Sequence, residues 1–589
     1  MTRRTRNSRI LLPWVALAAA LVLTLPAAAQ WETNSSINNF VSNHPSWERP
    51  EVVFDGIDGV YVLWSGSGEV RLQHLDDQAN KWSNDVVIGN GSEGVMVSDG
   101  ANGVIVAWRR AGGGSSGDDI FAQRVDINGT IQWASTGHPM GLAAGTQSTP
   151  SIVAENGGAL ISWTDARFGT KAIYAQKVDG AGAPLWGGAS GKKVSPQTLT
   201  GNQIRSSIAP DGSGGAFVAW QDQRSGWDVY AQRVDGSGNA LWSTDRDIAV
   251  FSQTQSFPQV VTDQNGGAII LWYDARNGLS EVFAQRVDGM GSKLWTAAGE
   301  KIATSVVFPN NLRGYEVVSD GANGALVAWG TGGSVKTQRL LDDATRVWGT
   351  GGLTLDTAAY PDGVFSPDVV ATNSQDAIVV WHSFHKVSGE GDVLAQFVNS
   401  AGNPAWGPGG LMVSDADDLQ QLPAIDTDDI CPSYIGWVDH RGTQQGSGVY
   451  AQRIRCFGVL GRIALSPHEA VAYLHEDAIQ KVDVAVGDPV VVEWVNVEVA
   501  YDPDILGPGE VSFEGTVLGE MAVSVDSSQE GVLRIQAEGS VLLEGTLPFL
   551  DLIFQPVAVG SAIPTFTRFE VNGGEVSTDA RAARITVEP

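Results

Sequence analysis

Short apolar segments recur along most of the chain, divided by clusters of glycine, aspartate and serine. One unit of this pattern has four segments, at residues 207–210, 215–220, 228–235 and 240–242. Glycine and aspartate accept the positive φ angles of tight hairpins, so the stretches between segments predict antiparallel turns. The second segment is apolar at successive positions, which is typical of a strand covered on both faces. Each unit therefore predicts a four-stranded sheet packed between two others.

Two residues mark every copy of this unit, a tryptophan in the second segment and a glutamine in the third. The tryptophans recur about every 53 residues, a spacing typical of the blades of a β-propeller. The eight tryptophans are Trp64, Trp108, Trp163, Trp220, Trp272, Trp329, Trp381 and Trp437. The eight glutamines are Gln73, Gln123, Gln176, Gln232, Gln285, Gln338, Gln396 and Gln452. We predict an all-β fold with eight blades, in which the glutamines satisfy backbone groups between strands.

A second tryptophan marks the fourth segment in seven copies and is missing from the last one. The seven are Trp82, Trp133, Trp186, Trp242, Trp295, Trp348 and Trp406. The eighth copy lies near the N-terminus, where Gln30-Trp31 resembles Leu241-Trp242. We therefore expect the segment after Trp31 to supply the outer strand of the last blade. This strand would close the ring and leave few strand edges open.

The first 29 residues have the pattern of an export signal. Four arginines precede an apolar run from Ile10 to Leu25, and Ala27-Ala28-Ala29 follows it. This order predicts cleavage after residue 29 and a secreted or cell-surface protein, with an anchored transmembrane helix as the alternative. No later segment approaches about 18 consecutive apolar residues, so we expect no membrane span after cleavage. The formal charge of −29 at pH 7 argues against nucleic acid as a partner.

The two cysteines, Cys431 and Cys456, both belong to the last blade. Each lies six residues from one member of the Trp437–Tyr450 pair that the hairpin predicts, so they would face each other. Export favours a disulfide between them, and two free buried thiols are the alternative.

The repeat ends at residue 457, and residues 458–589 form a second predicted domain after the propeller of residues 30–457. Strand-like runs at residues 490–495, 533–537 and 550–554 predict a β-sandwich. The region resembles cohesin domains and their carbohydrate-binding-module relatives. The stretches that carry the resemblance are Gly487-Asp488-Pro489-Val490, residues 500–506 with Tyr501-Asp502-Pro503, residues 531–535 and residues 550–554. The resemblance implies a carbohydrate or a dockerin-bearing protein as partner.

Four blades carry an Asp-x-Arg motif directly after the second strand, on the rim where the loops between second and third strands lie. The pairs are Asp165 and Arg167, Asp222 and Arg224, Asp274 and Arg276, and Asp439 and Arg441. One interpretation is a charged rim that binds a polar ligand such as a glycan. The other is a repeated ion pair that braces each loop, and its repetition favours this second interpretation.

Three further rim residues are candidate site residues. His382 and His385 could ligate a metal, but without a carboxylate at a known spacing the pair favours a solvated loop and no metal. Trp227, directly before a third strand, suits either stacking on a sugar or packing of the rim.

These features favour a secreted, non-catalytic binding or adhesion protein that engages a carbohydrate or an extracellular protein. The cohesin resemblance implies a link to polysaccharide breakdown. The alternative is an enzyme, either glycoside-acting or similar to the eight-bladed quinoprotein dehydrogenases. Residues 235–242 resemble the repeated turn of those dehydrogenases, but adjacent cysteines and a calcium site, often seen there, are absent from the sequence. We find no nucleophile–base or paired-carboxylate pattern, so we expect no catalytic residue and no cofactor.

Overall fold

The structure is a computed structural model. It describes Trp31, residues 35–454 apart from short gaps, and strand segments between residues 463 and 588. The gaps are residue 47 and residues 113–116, 197–200, 308–313, 357–363, 373–374, 385–390, 407–408, 428–431 and 442–446. The export signal, Cys431 and Cys456 lie outside the described residues, so cleavage and the disulfide stay predictions.

Eight four-stranded antiparallel sheets form a ring over residues 39–454, and the prediction of an eight-bladed β-propeller is confirmed. The first strands, in blade order, are Glu51–Phe54, Ser92–Ser98, Gln147–Glu155, Gln203–Pro210, Gln255–Thr262, Tyr315–Ser319, Val364–Ala371 and Gln420–Thr427. The second strands are Val60–Gly66, Val104–Arg110, Gly158–Phe168, Ala216–Asp222, Ala268–Asp274, Ala325–Gly330, Ala377–Ser383 and Ser433–Asp439. The third strands are Glu69–Leu75, Asp119–Val125, Thr170–Val178, Asp228–Val234, Glu281–Val287, Val335–Leu340, Val393–Val398 and Gly448–Ile454. The fourth strands are Val86–Asn90, His138–Gly141, Lys192–Lys193, Arg246–Ala249, Glu300–Thr304, Leu353–Thr354, Leu411–Ser414 and, in blade 8, Asn39–Ser42.

The first strands of neighbouring blades contact each other all the way round, so they line the centre of the ring. The second strands are almost wholly buried, as their apolar sequence predicts. The connections between second and third strands share one face of the ring, which we call the loop face. The turns between first and second strands and those between third and fourth strands lie on the opposite face.

The N-terminal strand closes the ring as predicted. Phe40 pairs with Tyr450 on the third strand of blade 8. Trp31 Nε1 donates a hydrogen bond of 3.1 Å to the carbonyl oxygen of Asp76 in blade 1. Trp242 makes the same kind of bond, 3.0 Å long, to Gly289 in the next blade. Trp31 is therefore the eighth copy of the second tryptophan.

The second tryptophans lie before the fourth strands, in the connection from the third strand, and our placement of them within the fourth strand is wrong. The repeated glutamine explains this position. Gln123 donates from Nε2 to the carbonyl oxygen of Ala134 at 2.7 Å, and its Oε1 accepts the backbone N–H of Trp133 at 3.0 Å. Because this amide takes up backbone groups of the connection, the fourth strand begins only after the tryptophan. The role predicted for the glutamines is confirmed in blades 1 to 7, where each glutamine hydrogen-bonds backbone groups of this connection.

The region beyond the ring is also β-structure, in one seven-stranded and one three-stranded sheet. Its strands are Ile463–Pro467, Ala470–Tyr473, Ala478–Ala500, Glu510–Ser512, Ala522–Asp526, Val532–Phe554, Gly560–Ala562, Thr565–Val571, Gly574–Glu575 and Ile585–Glu588. The runs at residues 533–537 and 550–554 are two ends of one strand, and Pro489 sits where the register shifts between Val486 and Val490. A β-bulge accommodates a residue without an N–H, so the strand continues past it. Packing of the two sheets as a sandwich stays a prediction.

Candidate functional site

The Asp-x-Arg motif forms a brace across its blade, which blade 4 shows in full. Asp222 Oδ2 accepts hydrogen bonds from Trp220 Nε1 at 3.0 Å and from Arg224 Nη2 at 2.7 Å. The guanidinium of Arg224 lies over the ring of Tyr230, 3.6 Å from its centroid, and reaches the carboxylate of Asp245. The motif thus joins the second strand, the third strand and the segment before the fourth strand.

The other three blades with the motif repeat this geometry. The tryptophan N–H donates to Asp165, Asp274 and Asp439 at 3.0, 2.7 and 2.9 Å. The guanidinium carbons of Arg167, Arg276 and Arg441 lie 3.8, 4.1 and 4.2 Å from the ring centroids of Tyr174, Phe283 and Tyr450.

In blade 8 the brace also holds the closing segment. Arg441 Nη1 donates to the carbonyl oxygens of Ser36 at 3.0 Å and Ile37 at 2.7 Å. Arg441 Nη2 donates to Asn38 Oδ1 at 2.8 Å. The arginine therefore ties the second strand of the last blade to the N-terminal segment.

Burial and pairing together set the pKa of Asp274, the motif carboxylate of blade 5. Burial tends to raise the pKa of Asp274, but hydrogen bonds from Arg276 and Trp272 outweigh it and hold that pKa below its ordinary value. The four motif carboxylates are 0–1% exposed. These contacts are those of a brace, and binding of a ligand by the motif stays a prediction.

Blades without the motif lack this brace. The buried indole N–H groups of Trp64, Trp108 and Trp381 have no hydrogen-bond partner among the described residues. In blade 1, Gly66 takes the place of the motif aspartate, and a Cβ there would lie 1.6 Å from the carbonyl oxygen of Pro45. Blade 1 therefore cannot carry an aspartate at this position without moving its backbone.

His382 lies inside blade 7 rather than in a solvated loop. It belongs to the strand Ala377–Ser383 and is 6% exposed. Burial lowers its pKa to about 4, so it is neutral at pH 7. The expectation of a solvated loop at His382 is wrong, because the second strand of blade 7 continues to Ser383, two residues past Trp381. Binding of a ligand by His382 stays a prediction. His385 lies outside the described residues, and among the described residues no three histidine, cysteine or acidic side chains are close enough to hold a metal ion.

Apolar side chains that are exposed or half-buried lie on the loop face of three consecutive blades. Phe168, at the tip of the long hairpin of blade 3, is 79% exposed. Trp227, in the loop of blade 4, is half-buried, and Leu279 in the loop of blade 5 is 55% exposed. Nothing in the fold requires a phenylalanine at a hairpin tip, so Phe168 is a candidate contact for a ligand.

A polar cleft of about 350 Å³ opens on the same face between blades 1 and 2. It exists because a tight turn with positive φ angles, Ser67 at 53° and Gly68 at 80°, connects the second and third strands of blade 1. Arg109 reaches into it and donates two hydrogen bonds to Asp118 Oδ2, at 2.8 and 2.6 Å. Glu48 lines the cleft as well.

The two carboxyls of this cleft differ in pKa. Burial raises the pKa of Glu48 above its ordinary value, although hydrogen bonds from Ser65 and the backbone N–H of Glu93 oppose this. Hydrogen bonds from Arg109 lower the pKa of Asp118. One cleft thus holds an acid that keeps its proton more readily and another that loses it more readily.

Sequence reasoning missed Phe168, Glu48 and Asp118. The sequence does distinguish Phe168, which follows the motif arginine of blade 3. The residues that follow Arg224 and Arg276 in blades 4 and 5 are the polar Ser225 and Asn277. Glu48 and Asp118 come from different blades, and only the fold brings them to one cleft.

Comparison with solved structures gives likenesses to cohesin modules and to two enzymes, a polysaccharide lyase and an endo-arabinase. A cohesin module from a Clostridium perfringens family 33 glycoside hydrolase is 12% identical, covering 21% of this chain and 98% of its own, with a TM-score of 0.18. An ulvan-degrading polysaccharide lyase is 9% identical, covering 72% and 96%, with a TM-score of 0.39. An endo-arabinase from Bacteroides thetaiotaomicron is 11% identical, covering 71% and 96%, with a TM-score of 0.27. No protein-family model and no curated protein matches the chain.

The described residues include no helix long and apolar enough to cross a membrane.

Proposed function

We propose that this chain is an exported binding protein whose propeller holds carbohydrate on its loop face. Exposed Phe168, on the blade next to the one that carries Trp227, is the observation on which the proposal rests. Aromatic faces stack on the C–H faces of sugars, and a rigid hairpin presents such a ring with little loss of conformational freedom. The polar cleft beside blade 1 adds serine, arginine and carboxylate groups that hydrogen-bond hydroxyls.

Pull-down on a panel of neutral polysaccharides tests this function, with the double variant Phe168→Ala, Trp227→Ala. We expect up to about tenfold weaker binding. Met290→Ala is the matched control, because Met290 is 75% exposed in a turn on the opposite face. Equal binding by the double variant and the intact protein would remove the loop face from the proposal.

For residues 458–589 we propose a cohesin-like role in holding a dockerin-bearing partner. The support is the sequence resemblance at residues 487–490, 500–506, 531–535 and 550–554. A pull-down with a calcium-loaded dockerin as bait tests it, using the full chain and a chain ending at residue 457. Capture of both chains or of neither would overturn the proposal.

A glycoside-acting enzyme is the second candidate, and the pair of Glu48 and Asp118 favours it. Glycosidic cleavage uses one carboxyl that donates a proton and another that stays ionised, each with its pKa set by its surroundings. Reducing-sugar release from the same polysaccharides measures it. Activity that disappears in Glu48→Gln and persists in Asp343→Asn, an exposed turn acid on the opposite face, would establish this candidate in place of the first.

A further inference from the structure

A cavity of about 520 Å³ occupies the central channel, apart from the loop-face aromatics. Side chains from the first strands of blades 1, 2, 3, 6, 7 and 8 line it. Its volume lies within the range of about 300–1,000 Å³ usual for small-molecule sites.

The cavity is strongly acidic. Glu51, Glu316, Asp368 and Asp426 line it together with a single cation, Arg49. Burial alone would lower the pKa of Arg49, but the charges of Asp368, Glu316 and Glu51 raise it, so the guanidinium stays protonated. Four carboxylates against one guanidinium leave a surplus of negative charge that favours a cationic ligand.

Two polar groups in the cavity have no hydrogen-bond partner among the described residues. One is the hydroxyl of Ser366, which is 5% exposed, and the other is Arg49 Nε. An unpaired buried polar group costs free energy that a ligand can recover by bonding to it. Arg49 Nε–H needs an acceptor, and the surplus negative charge favours a cation, so the fitting ligand carries both an acceptor and a positive charge.

Ser366 is also held in a conformation that side chains rarely adopt. Its φ is 49°, at a register shift between Phe365 and Asp368 in the first strand of blade 7. This β-bulge is part of the blade, since Glu93, Thr149, Arg205, Phe257 and Leu422 have φ of 52–57° at the equivalent position, and in blade 7 it places Ser366 on the cavity wall. Apolar groups complete the wall, among them Ile152 and Val318, which suit the C–H face of a ring.

We propose that the central channel binds a cationic amino sugar, a glucosamine-type unit with a free amine. Its ammonium donates to the carboxylates, a ring hydroxyl accepts from Arg49 Nε, and the Ser366 hydroxyl bonds to a second ring oxygen. Asp368 and Asp426 also accept backbone N–H groups between blades, from Ile425 at 2.9 Å and Phe54 at 2.7 Å. They hold the ring together, so the test leaves both in place.

Isothermal titration calorimetry on the whole mature chain tests the site with the β-1,4-linked dimer of glucosamine. Cellobiose has the same linkage without the charge, and putrescine has the charge without the ring. We expect the glucosamine dimer to bind at least about tenfold more tightly than either probe. Equal binding of cellobiose, or of putrescine, would overturn the proposal, since charge or ring would then play no part.

Variants locate the binding. Glu51→Gln and Ser366→Ala should each weaken it about tenfold, whereas Asp343→Asn should leave it unchanged. Val318→Phe, which fills the cavity without removing a polar group, should abolish it and covers the case in which Glu51→Gln does not fold. Unchanged binding in Ser366→Ala and Val318→Phe would overturn the channel site. The Phe168→Ala, Trp227→Ala variant should bind the dimer normally, so failure here is distinct from failure of the loop-face proposal.

Discussion

Blades 3, 4, 5 and 8 hold their loop face with the Asp-x-Arg brace, and blades 1, 2, 6 and 7 do without it. In the braced blades one buried carboxylate accepts hydrogen bonds from the tryptophan and from an arginine, and this arginine stacks on an aromatic ring of the third strand. In blades 1 and 7 the residue opposite the tryptophan is Arg71 or Leu394, so a guanidinium would find no ring there. Every braced blade has such a ring, whereas of the four unbraced blades blade 2 alone has a ring opposite its tryptophan, Phe121. The polar cleft and the buried His382 both belong to unbraced blades.

Removal of a brace should give the largest difference in stability between braced and unbraced blades. Asp222→Ala should lower the free energy of unfolding by about 3–5 kcal/mol, because it leaves Arg224 and the Trp220 N–H unpaired in a buried site. Ser383→Ala is the matched change in blade 7, two residues after Trp381, where the buried hydroxyl has no partner among the described residues. Urea unfolding measures both. Losses of the same size would show that the brace adds nothing.

A pH titration separates blade 7 from the braced blades. The pKa of His382 is lowered to about 4 by burial. Its neutral form stabilises the fold fully above about pH 6.5, and this contribution is lost as the pH falls through 4. Relative to His382→Leu, the intact protein should lose about 3 kcal/mol between these pH values. Parallel stability curves for the two proteins would contradict the buried position of His382.

The indole hydrogen bond gives a finer comparison. Trp220→Phe should cost about 1–3 kcal/mol more than Trp381→Phe, because only the first leaves a buried carboxylate short of a donor. Both changes remove the same atoms from fully buried sites, so their difference isolates the bond. Thermal unfolding of the two variants side by side measures it. A larger loss for Trp381→Phe would reverse the comparison.

The smallest effect concerns blade 2, which keeps part of the brace. Arg110 lies over the ring of Phe121, 4.5 Å from its centroid, although in the part of the chain that the structure describes no aspartate pairs with it. Arg110→Ala should cost about 0.5–1 kcal/mol by thermal unfolding. A loss as large as that of Asp222→Ala would mean that stacking alone supports the braced blades.

The ring could be predicted from the sequence because its information is repeated. Eight copies of one tryptophan and one glutamine give the blade, and the single unmatched Trp31 gives the closure. The sites are different, since each depends on residues that occur once and meet only in the fold. Glu48 and Asp118 are 70 positions apart, and Ser366 meets Arg49 and Glu316 only in the central cavity.

The pairing of Asn39–Ser42 with Gly448–Ile454 has a consequence for folding during synthesis. The partner of the earliest described strand is the last strand of the propeller to be synthesised, so a growing chain carries an unpaired first strand while seven sheets form after it. Local hairpins form quickly, whereas contacts between distant parts of a chain are slow to form. Joining the two ends is therefore the step at which we expect assembly to pause, and a chain cut short before residue 448 would leave Asn39–Ser42 exposed to strands of other molecules.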